Sequence, residues 1–84
     1  MEKTTRKLNI RAFGIARDIV KGREFILETN AVTVSQLKEQ LKSEYPELRS
    51  LKSFFVAVDN TYAADDIEVH EGQEIALIPP VSGG

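Results

Sequence analysis

The chain has 84 residues, of which 42% are hydrophobic and 29% are charged, and it contains no cysteine. This length suffices for one small hydrophobic core, so we expect residues 1–84 to form a single domain. The composition argues against a disordered or low-complexity protein. The lack of cysteine excludes disulfide scaffolds, thiolate metal sites and cysteine nucleophiles. Because the sequence shows neither a membrane-spanning apolar run nor a signal peptide, we expect a cytoplasmic protein.

The net charge of −2 conceals an uneven distribution along the chain. Residues 1–24 contain seven Lys or Arg and three acidic residues, whereas residues 25–84 contain four and ten. Residues 59–74 include six acidic residues and no Lys or Arg. An acidic surface disfavours nucleic acid and suits a basic protein partner. A solvated loop region that carries acids for solubility is an equally good interpretation.

The first third of the chain predicts a hairpin with a helical turn between its strands. Residues 8–13 alternate apolar and polar side chains, which is typical of a half-buried strand. Gly14 ends this strand, a short apolar helical pattern follows, and Gly22 is a plausible end for that helix. Residues 24–28 predict the second strand. We expect the inward side chains of the first strand to be Leu8, Ile10 and Ala12, and the outward ones to be Asn9, Arg11 and Phe13.

The strongest local signal predicts the main helix, over residues 34–45. Thr33 followed by Gln36 forms a capping box, in which each side chain satisfies a backbone N–H of the first turn. Pro46 ends the helix, because the residue before a proline avoids the α region. Apolar residues recur at three- and four-residue spacing along one face of this helix; they are Val34, Leu37, Leu41 and Tyr45.

The remaining segments predict further strands and therefore an α+β fold. Residues 54–58 are rich in β-branched and aromatic side chains, and Asp59-Asn60 forms a two-residue turn into a short partner strand over 61–63. A last strand over 74–78 places Ile75 and Leu77 inward. A mixed sheet packed on one main helix fits this order of elements.

The C-terminal residues 79–84 differ from an ordinary chain end. Pro79 and Pro80 cannot donate to a sheet ladder and hold the chain extended, so the segment projects up to about 20 Å from the last strand. Gly83 and Gly84 have no side chain and fit a channel that admits only backbone. A free carboxylate on Gly84 could enter another protein's active site and there be activated by ATP as an acyl adenylate. The alternative is a frayed terminus.

A possible partner interface lies beside this tail. Phe13 and Ile78 point to the outer face of the sheet, and they come close together if the first and last strands run in parallel. Tyr62 is a candidate third member of this apolar surface, which suggests a protein interface.

The chain offers no candidate catalytic or metal centre of its own. His70, the single histidine, is expected on the surface, and Asp65-Asp66 is expected in a turn. No nucleophile–base–acid set and no phosphate loop is present in the sequence, so we expect no independent enzyme activity.

These motifs are similar to those of a known family. Residues 74–84 resemble its ending, which has an acidic residue, an apolar strand, Pro-Pro-Val, a hydroxyl residue and Gly-Gly. Residues 56–61 resemble its central hairpin, and Phe13 with the segment 17–22 resembles its opening strand and short helix. The family is that of the small subunits of molybdopterin synthase, which are sulfur carriers with the ubiquitin-like β-grasp fold. One departure is that Leu77 and Ile78 stand where the family often has aromatic residues.

The resemblance implies a mechanism in which partner enzymes act on Gly84. A ubiquitin-activating-like adenylyltransferase uses ATP to adenylate the Gly84 carboxylate, and a sulfur donor protein supplies the sulfur of a thiocarboxylate. The tail then inserts into the large synthase subunit and gives its sulfur to cyclic pyranopterin monophosphate, which forms the dithiolene of molybdopterin. No cofactor, nucleic acid or membrane is bound by the chain. The implied assembly has two copies of each subunit. The implied tail residues are Pro79, Pro80, Val81, Ser82, Gly83 and Gly84, and the implied interface residues are Phe13, Tyr62 and Ile78.

Two other functions remain open at this point. One is a sulfur carrier for thiamine synthesis or transfer RNA thiolation. The other is a ubiquitin-like binding or conjugation module without sulfur chemistry. The partner that co-purifies with the chain would distinguish between them.

Overall fold

The computed structural model describes residues 5–51 and 54–80, and the strands within them form one mixed five-stranded sheet. The sheet order is β2-β1-β5-β3-β4. The central pair, β1 and β5, is parallel, and the other neighbouring strands are antiparallel. This arrangement confirms the predicted α+β class. The elements in chain order are β1 (Arg6–Ala12), α1 (Ala16–Val20), β2 (Glu24–Thr29), α2 (Val34–Glu44), a 3-10 helix (Pro46–Ser50), β3 (Phe55–Val58), β4 (Thr61–Tyr62) and β5 (Ile75–Ile78).

The predicted hairpin is formed by β1 and β2, which pair from Arg6 opposite Thr29 to Arg11 opposite Glu24. The helix between them ends at Val20, earlier than expected, and the left-handed residue is Lys21 (φ 64°), not Gly22. The first strand begins two residues earlier than predicted. Its first residue, Arg6, is held by guanidinium hydrogen bonds to the carbonyl oxygens of Val69 and Ala31.

The capping box of α2 is confirmed. The Thr33 hydroxyl accepts a hydrogen bond from the Gln36 N–H at 3.3 Å, and the Gln36 side-chain oxygen accepts one from the Thr33 N–H at 3.3 Å. The helix ends at Glu44, and Pro46 begins a 3-10 helix that the sequence pattern did not predict. Proline is compatible with a first helical turn because its missing N–H has no partner there.

Replacing Thr33 with alanine is expected to lower the free energy of unfolding by about 1 kcal/mol, because one N–H of the first turn loses its acceptor. Chemical unfolding at 25 °C measures the change. Thr33→Ser keeps the hydroxyl and is the matched control, with an expected stability close to that of the wild type. Equal losses in the two variants would mean that the cap contributes nothing.

The core lies between α2 and the inner face of the sheet. Val34, Leu37 and Leu41 of α2 are fully buried, as the predicted apolar stripe requires. Tyr45 at the end of the stripe is partly buried and packs edge-on against Phe25, with ring centroids 5.5 Å apart. The buried strand residues of the same cluster are Leu8, Ile10, Ala12, Leu27, Val56, Val58, Ile75 and Leu77.

The turn between β3 and β4 has the conformation that the Asp-Asn pair predicts. Asp59 and Asn60 both have positive φ, at 52° and 69°, which matches the twist of a two-residue hairpin. The turn is also tied to the start of β5, because the Asp59 N–H donates to the Glu74 carbonyl at 2.8 Å. Among the helices of the described ranges, none combines the length and apolar character needed to cross a membrane.

Candidate functional site

Strand β5 ends at Ile78, and the residues that follow leave the sheet at one end, next to the end of β1. The parallel pairing of β1 with β5 places Ala12 opposite Leu77, and the Phe13 N–H donates to the Leu77 carbonyl at 3.1 Å. Pro79 and Pro80 follow, and neither has an N–H that could continue the ladder. The predicted tail residues Val81, Ser82, Gly83 and Gly84 lie outside the described residues.

A glycine allows the close packing of the chain at this exit point. Gly14 has φ +57°, a conformation that side chains with a Cβ rarely adopt. A Cβ at this position would lie 3.1 Å from Cγ of Pro79. The loop after β1 therefore contacts the first tail residue closely because residue 14 has no side chain.

The three predicted interface residues lie on the same face of the sheet, opposite α2. Phe13 lies at the end of β1 beside β5, which carries the half-buried Ile78. Tyr62 lies two strands away on β4. Phe13 and Tyr62 are 40% and 63% exposed, so large apolar surfaces meet solvent here.

Phe55 connects these residues and was missed by the sequence analysis. It is paired with Ile78 across β3 and β5, and its ring stacks on Tyr62 with centroids 5.4 Å apart and an interplanar angle of 4°. Its side chain remains 42% exposed. Alternation along 54–58 could have identified it, because the buried Phe54 and Val56 leave Phe55 facing outward. We call Phe13, Phe55, Tyr62 and Ile78 the apolar patch.

Two alanines lie on the outer face of the sheet beside the apolar patch. Ala57 and Ala76 are directly paired between β3 and β5, and Ala57 is also paired with Tyr62. Because neither alanine rises above the sheet, the aromatic rings stand next to a shallow surface. Ala57 is itself buried and Ala76 half-buried, so the aromatic rings provide the exposed apolar surface at this point.

Charge is distributed unequally between the two ends of the sheet. Near the tail exit, three arginines line one cavity; they are Arg11, Arg17 and Arg23, which we call the basic cluster. At the opposite end, Asp59 and Glu74 meet in the turn described above. All six acidic side chains of the 59–74 segment are exposed, as the sequence predicted.

The other polar candidates have ordinary surface roles. His70 is exposed and lies 3.4 Å from the Glu68 carboxylate. Asp65 lies in a turn and pairs with Lys38 at 3.0 Å. Across the ranges 5–51 and 54–80, no group of three His, Asp or Glu side chains converges to a potential metal site.

The sheet order, the single long helix and the extended exit beside an apolar patch define the class of the ubiquitin-like β-grasp proteins. The chain belongs to the ThiS family, whose model matches residues 10–84.

Curated relatives cover nearly the whole chain. A molybdopterin synthase sulfur carrier subunit of Caenorhabditis briggsae is 40% identical over 76 residues, which are 86% of this chain and 90% of the relative. The protein of the same name from Mycobacterium tuberculosis is 33% identical over 81 residues, covering 93% of this chain and 98% of the relative. The resemblance found in the sequence is therefore confirmed.

Solved structures confirm the fold. A putative molybdopterin converting factor subunit 1 from Pyrococcus furiosus has a TM-score of 0.78 at 21% identity, covering 89% of this chain and 98% of that chain. A Helicobacter pylori complex of subunits 1 and 2 of molybdopterin-converting factor includes a chain with a TM-score of 0.63 at 22% identity. The match covers 94% of this chain and all of that chain.

Proposed function

We propose that this protein is the sulfur carrier subunit of a molybdopterin synthase. The observation that carries the proposal is the match to curated sulfur carrier subunits at 33–40% identity over most of both chains. The geometry agrees with it, since β5 leads directly into two prolines at the edge of an apolar patch. Such an exit suits a tail that works inside another protein.

The proposed chemistry takes place at Gly84. Its carboxylate attacks the α-phosphate of ATP and displaces pyrophosphate, which gives an acyl adenylate. A persulfide of the donor protein then attacks the acyl carbon and displaces AMP, and a thiol cleaves the S–S bond of the resulting acyl disulfide, which releases the thiocarboxylate and leaves a disulfide. The thiocarboxylate sulfur bonds to a carbon of cyclic pyranopterin monophosphate, and water cleaves the acyl C–S bond, which restores the Gly84 carboxylate. Two such transfers supply the two sulfur atoms of the molybdopterin dithiolene.

In this proposal the chain is not an enzyme on its own. A ubiquitin-activating-like adenylyltransferase binds the ATP, and the large synthase subunit binds the pterin. The chain itself supplies Gly84, the arm formed by residues 79–84, and a docking surface. No bound cofactor is required of it.

The proposed docking partner of the apolar patch is the large synthase subunit. The Helicobacter pylori structure, a complex of subunits 1 and 2 of molybdopterin-converting factor, supports a partner of this kind. Phe13, Tyr62 and Ile78 are the proposed contacts, and Phe55 joins them because it stacks on Tyr62. We propose two copies of each subunit in the assembly.

The experiment that tests the proposal is an intact-mass measurement. The protein is produced with its activating enzyme and sulfur donor, and its mass is compared with that of protein produced alone. A gain equal to the replacement of one oxygen by sulfur, mapped to Gly84, is the expected result. An unmodified mass, or isopeptide links from Gly84 to lysines, would instead support the binding or conjugation module. A thiocarboxylate that the large subunit cannot use would point to the thiamine or transfer RNA pathway.

Replacing Ile78 with lysine is expected to raise the dissociation constant for the large subunit by about tenfold or more. The variant places an ammonium group in an apolar contact, where nothing on this chain compensates its desolvation. Isothermal calorimetry measures the affinity.

Ile26→Lys is the matched control for this prediction. Ile26 is 68% exposed on the same sheet face, but it lies on the edge strand β2 opposite Asn9 and away from the apolar patch. Its substitution is expected to leave the affinity unchanged. If Ile78→Lys bound as tightly as this control, Ile78 would not belong to the interface.

A further inference from the structure

The basic cluster lines a cavity of about 230 Å³ at the same end of the sheet as the tail exit. Its arginines come from three parts of the hairpin: Arg11 from β1, Arg17 from α1 and Arg23 from the residue before β2. The remaining lining residues are Ala12, Phe13 and Glu24. Phe13 therefore belongs both to this cavity and to the apolar patch.

Hydrogen bonds of the hairpin position the cluster. The Arg17 Nε donates to the Ala12 carbonyl at 3.1 Å, and its guanidinium lies 5.8 Å from the centroid of the Phe13 ring. The Arg23 carbonyl accepts a hydrogen bond from the Ala12 N–H at 2.7 Å. The side chain of Arg17 and the backbone of Arg23 are therefore held at the end of β1, and Arg11 is part of that strand.

The cavity has an excess of positive charge. Glu24 is the single carboxylate among its lining residues and stands opposite Arg11 in the strand register. Among the described residues, three arginines and one glutamate therefore line this cavity. In the described part of the chain, none of these arginines forms an ion pair. Guanidinium groups bind carboxylates through paired N–H donors, so the cavity is suited to acidic side chains.

We propose that the basic cluster binds aspartate or glutamate carboxylates of the large synthase subunit, next to the apolar surface that covers the patch. This inference rests on the proposed function. The shared residue Phe13 makes the cluster and the patch one continuous surface, so the same partner covers both. Glu74 shares a neighbouring cavity with Lys7, Arg11 and Glu24, where the charges balance, so the excess of positive charge lies at the tail exit.

The test compares two double variants that each remove two positive charges. Arg11→Gln/Arg23→Gln alters the cluster. Lys42→Gln/Arg49→Gln is the matched control, because these exposed or half-exposed residues lie on α2 and the 3-10 helix rather than on the outer sheet face. Calorimetry against the large subunit at several salt concentrations measures affinity and its salt dependence. Thermal unfolding verifies that both variants are folded.

The cluster variant is expected to bind about 3- to 20-fold more weakly at low salt, and the difference is expected to shrink as salt screens the charges. The control is expected to match the wild type. Equal affinity and equal salt dependence of the cluster variant would overturn the inference. It would also be overturned if the variant lost affinity for the activating enzyme alone. The proposed function fails separately, if wild-type protein does not bind the large subunit at all.

Discussion

Deleting Gly84 is expected to abolish sulfur transfer to the pterin precursor and to leave the free energy of unfolding unchanged. The deletion moves the reactive carboxylate back along the chain by about 3.5 Å, the length of one extended residue. A displacement of about 1 Å can already cost a reaction a factor of about 100, so a shift of this size should remove detectable transfer. Thiocarboxylate formation by mass spectrometry and molybdopterin formation by the reconstituted synthase measure the effect.

The free energy of unfolding should not change, because the buried cluster of the described residues extends from Leu8 to Leu77. A variant with one additional glycine after Gly84 keeps every native residue and moves the carboxylate outward by a similar distance. We expect the same loss of transfer from it. Ser82→Ala, which preserves the length of the tail, is expected to retain transfer. Molybdopterin formation by the Gly84 deletion would contradict the proposed chemistry.

The features that the sequence predicted correctly depend on short-range order. The capping box at Thr33 and Gln36 involves two residues of one helical turn, and its geometry follows from that spacing. The Asp59-Asn60 turn is equally local, because positive φ at two adjacent residues suits few side chains other than these and glycine. Alternation along each strand also predicted that Phe13 and Ile78 face outward, whereas the parallel pairing of β1 with β5 that brings their strand ends together was only a condition of that prediction.

The features that were missed have different origins: alternation along 54–58 already turns Phe55 outward, whereas its contacts with Ile78 and Tyr62 depend on other strands. Phe54 and Phe55 have the same side chain, and pairing of Phe55 with Ile78 places its ring on the outer face while Phe54 is buried. The 3-10 helix after Pro46 is stabilised by Leu48, whose burial depends on the completed core. The sequence pattern placed the end of the first helix at Gly22, but the helix ends at Val20 and Lys21 takes the left-handed conformation.

The basic cluster was not predicted, because its arginines come from different elements that only the folded hairpin brings together. Its arginines are six residues apart but lie in β1, in α1 and just before β2, so the periodicity of a single element does not relate them. The hairpin closes around α1 and brings them to one cavity. Sequence reasoning recorded an excess of basic residues in this region but had no means of placing them together.

Replacing Leu41 with alanine is expected to lower the free energy of unfolding by about 2–5 kcal/mol. Leu41 is completely buried at the centre of the α2 stripe, so its truncation removes apolar contacts and leaves a cavity. For a domain of this size each kcal/mol corresponds to about 4–8 °C in the midpoint of thermal unfolding. Urea unfolding and calorimetry give the two quantities independently.

Ile26→Ala is the control, because this side chain is 68% exposed and its loss should change stability by no more than about 0.5 kcal/mol. A loss below 1 kcal/mol for Leu41→Ala would mean that α2 does not pack as described.

The Leu41→Ala variant also distinguishes effects on folding stability from effects on binding. The apolar patch lies on the opposite face of the sheet from Leu41, so Leu41→Ala should bind the large subunit with wild-type affinity at temperatures where it remains folded. Ile78→Lys should show the reverse behaviour, with weakened binding and little loss of stability. Ile78 lies on the outer face of the sheet and is only half-buried, so the core does not depend on its side chain.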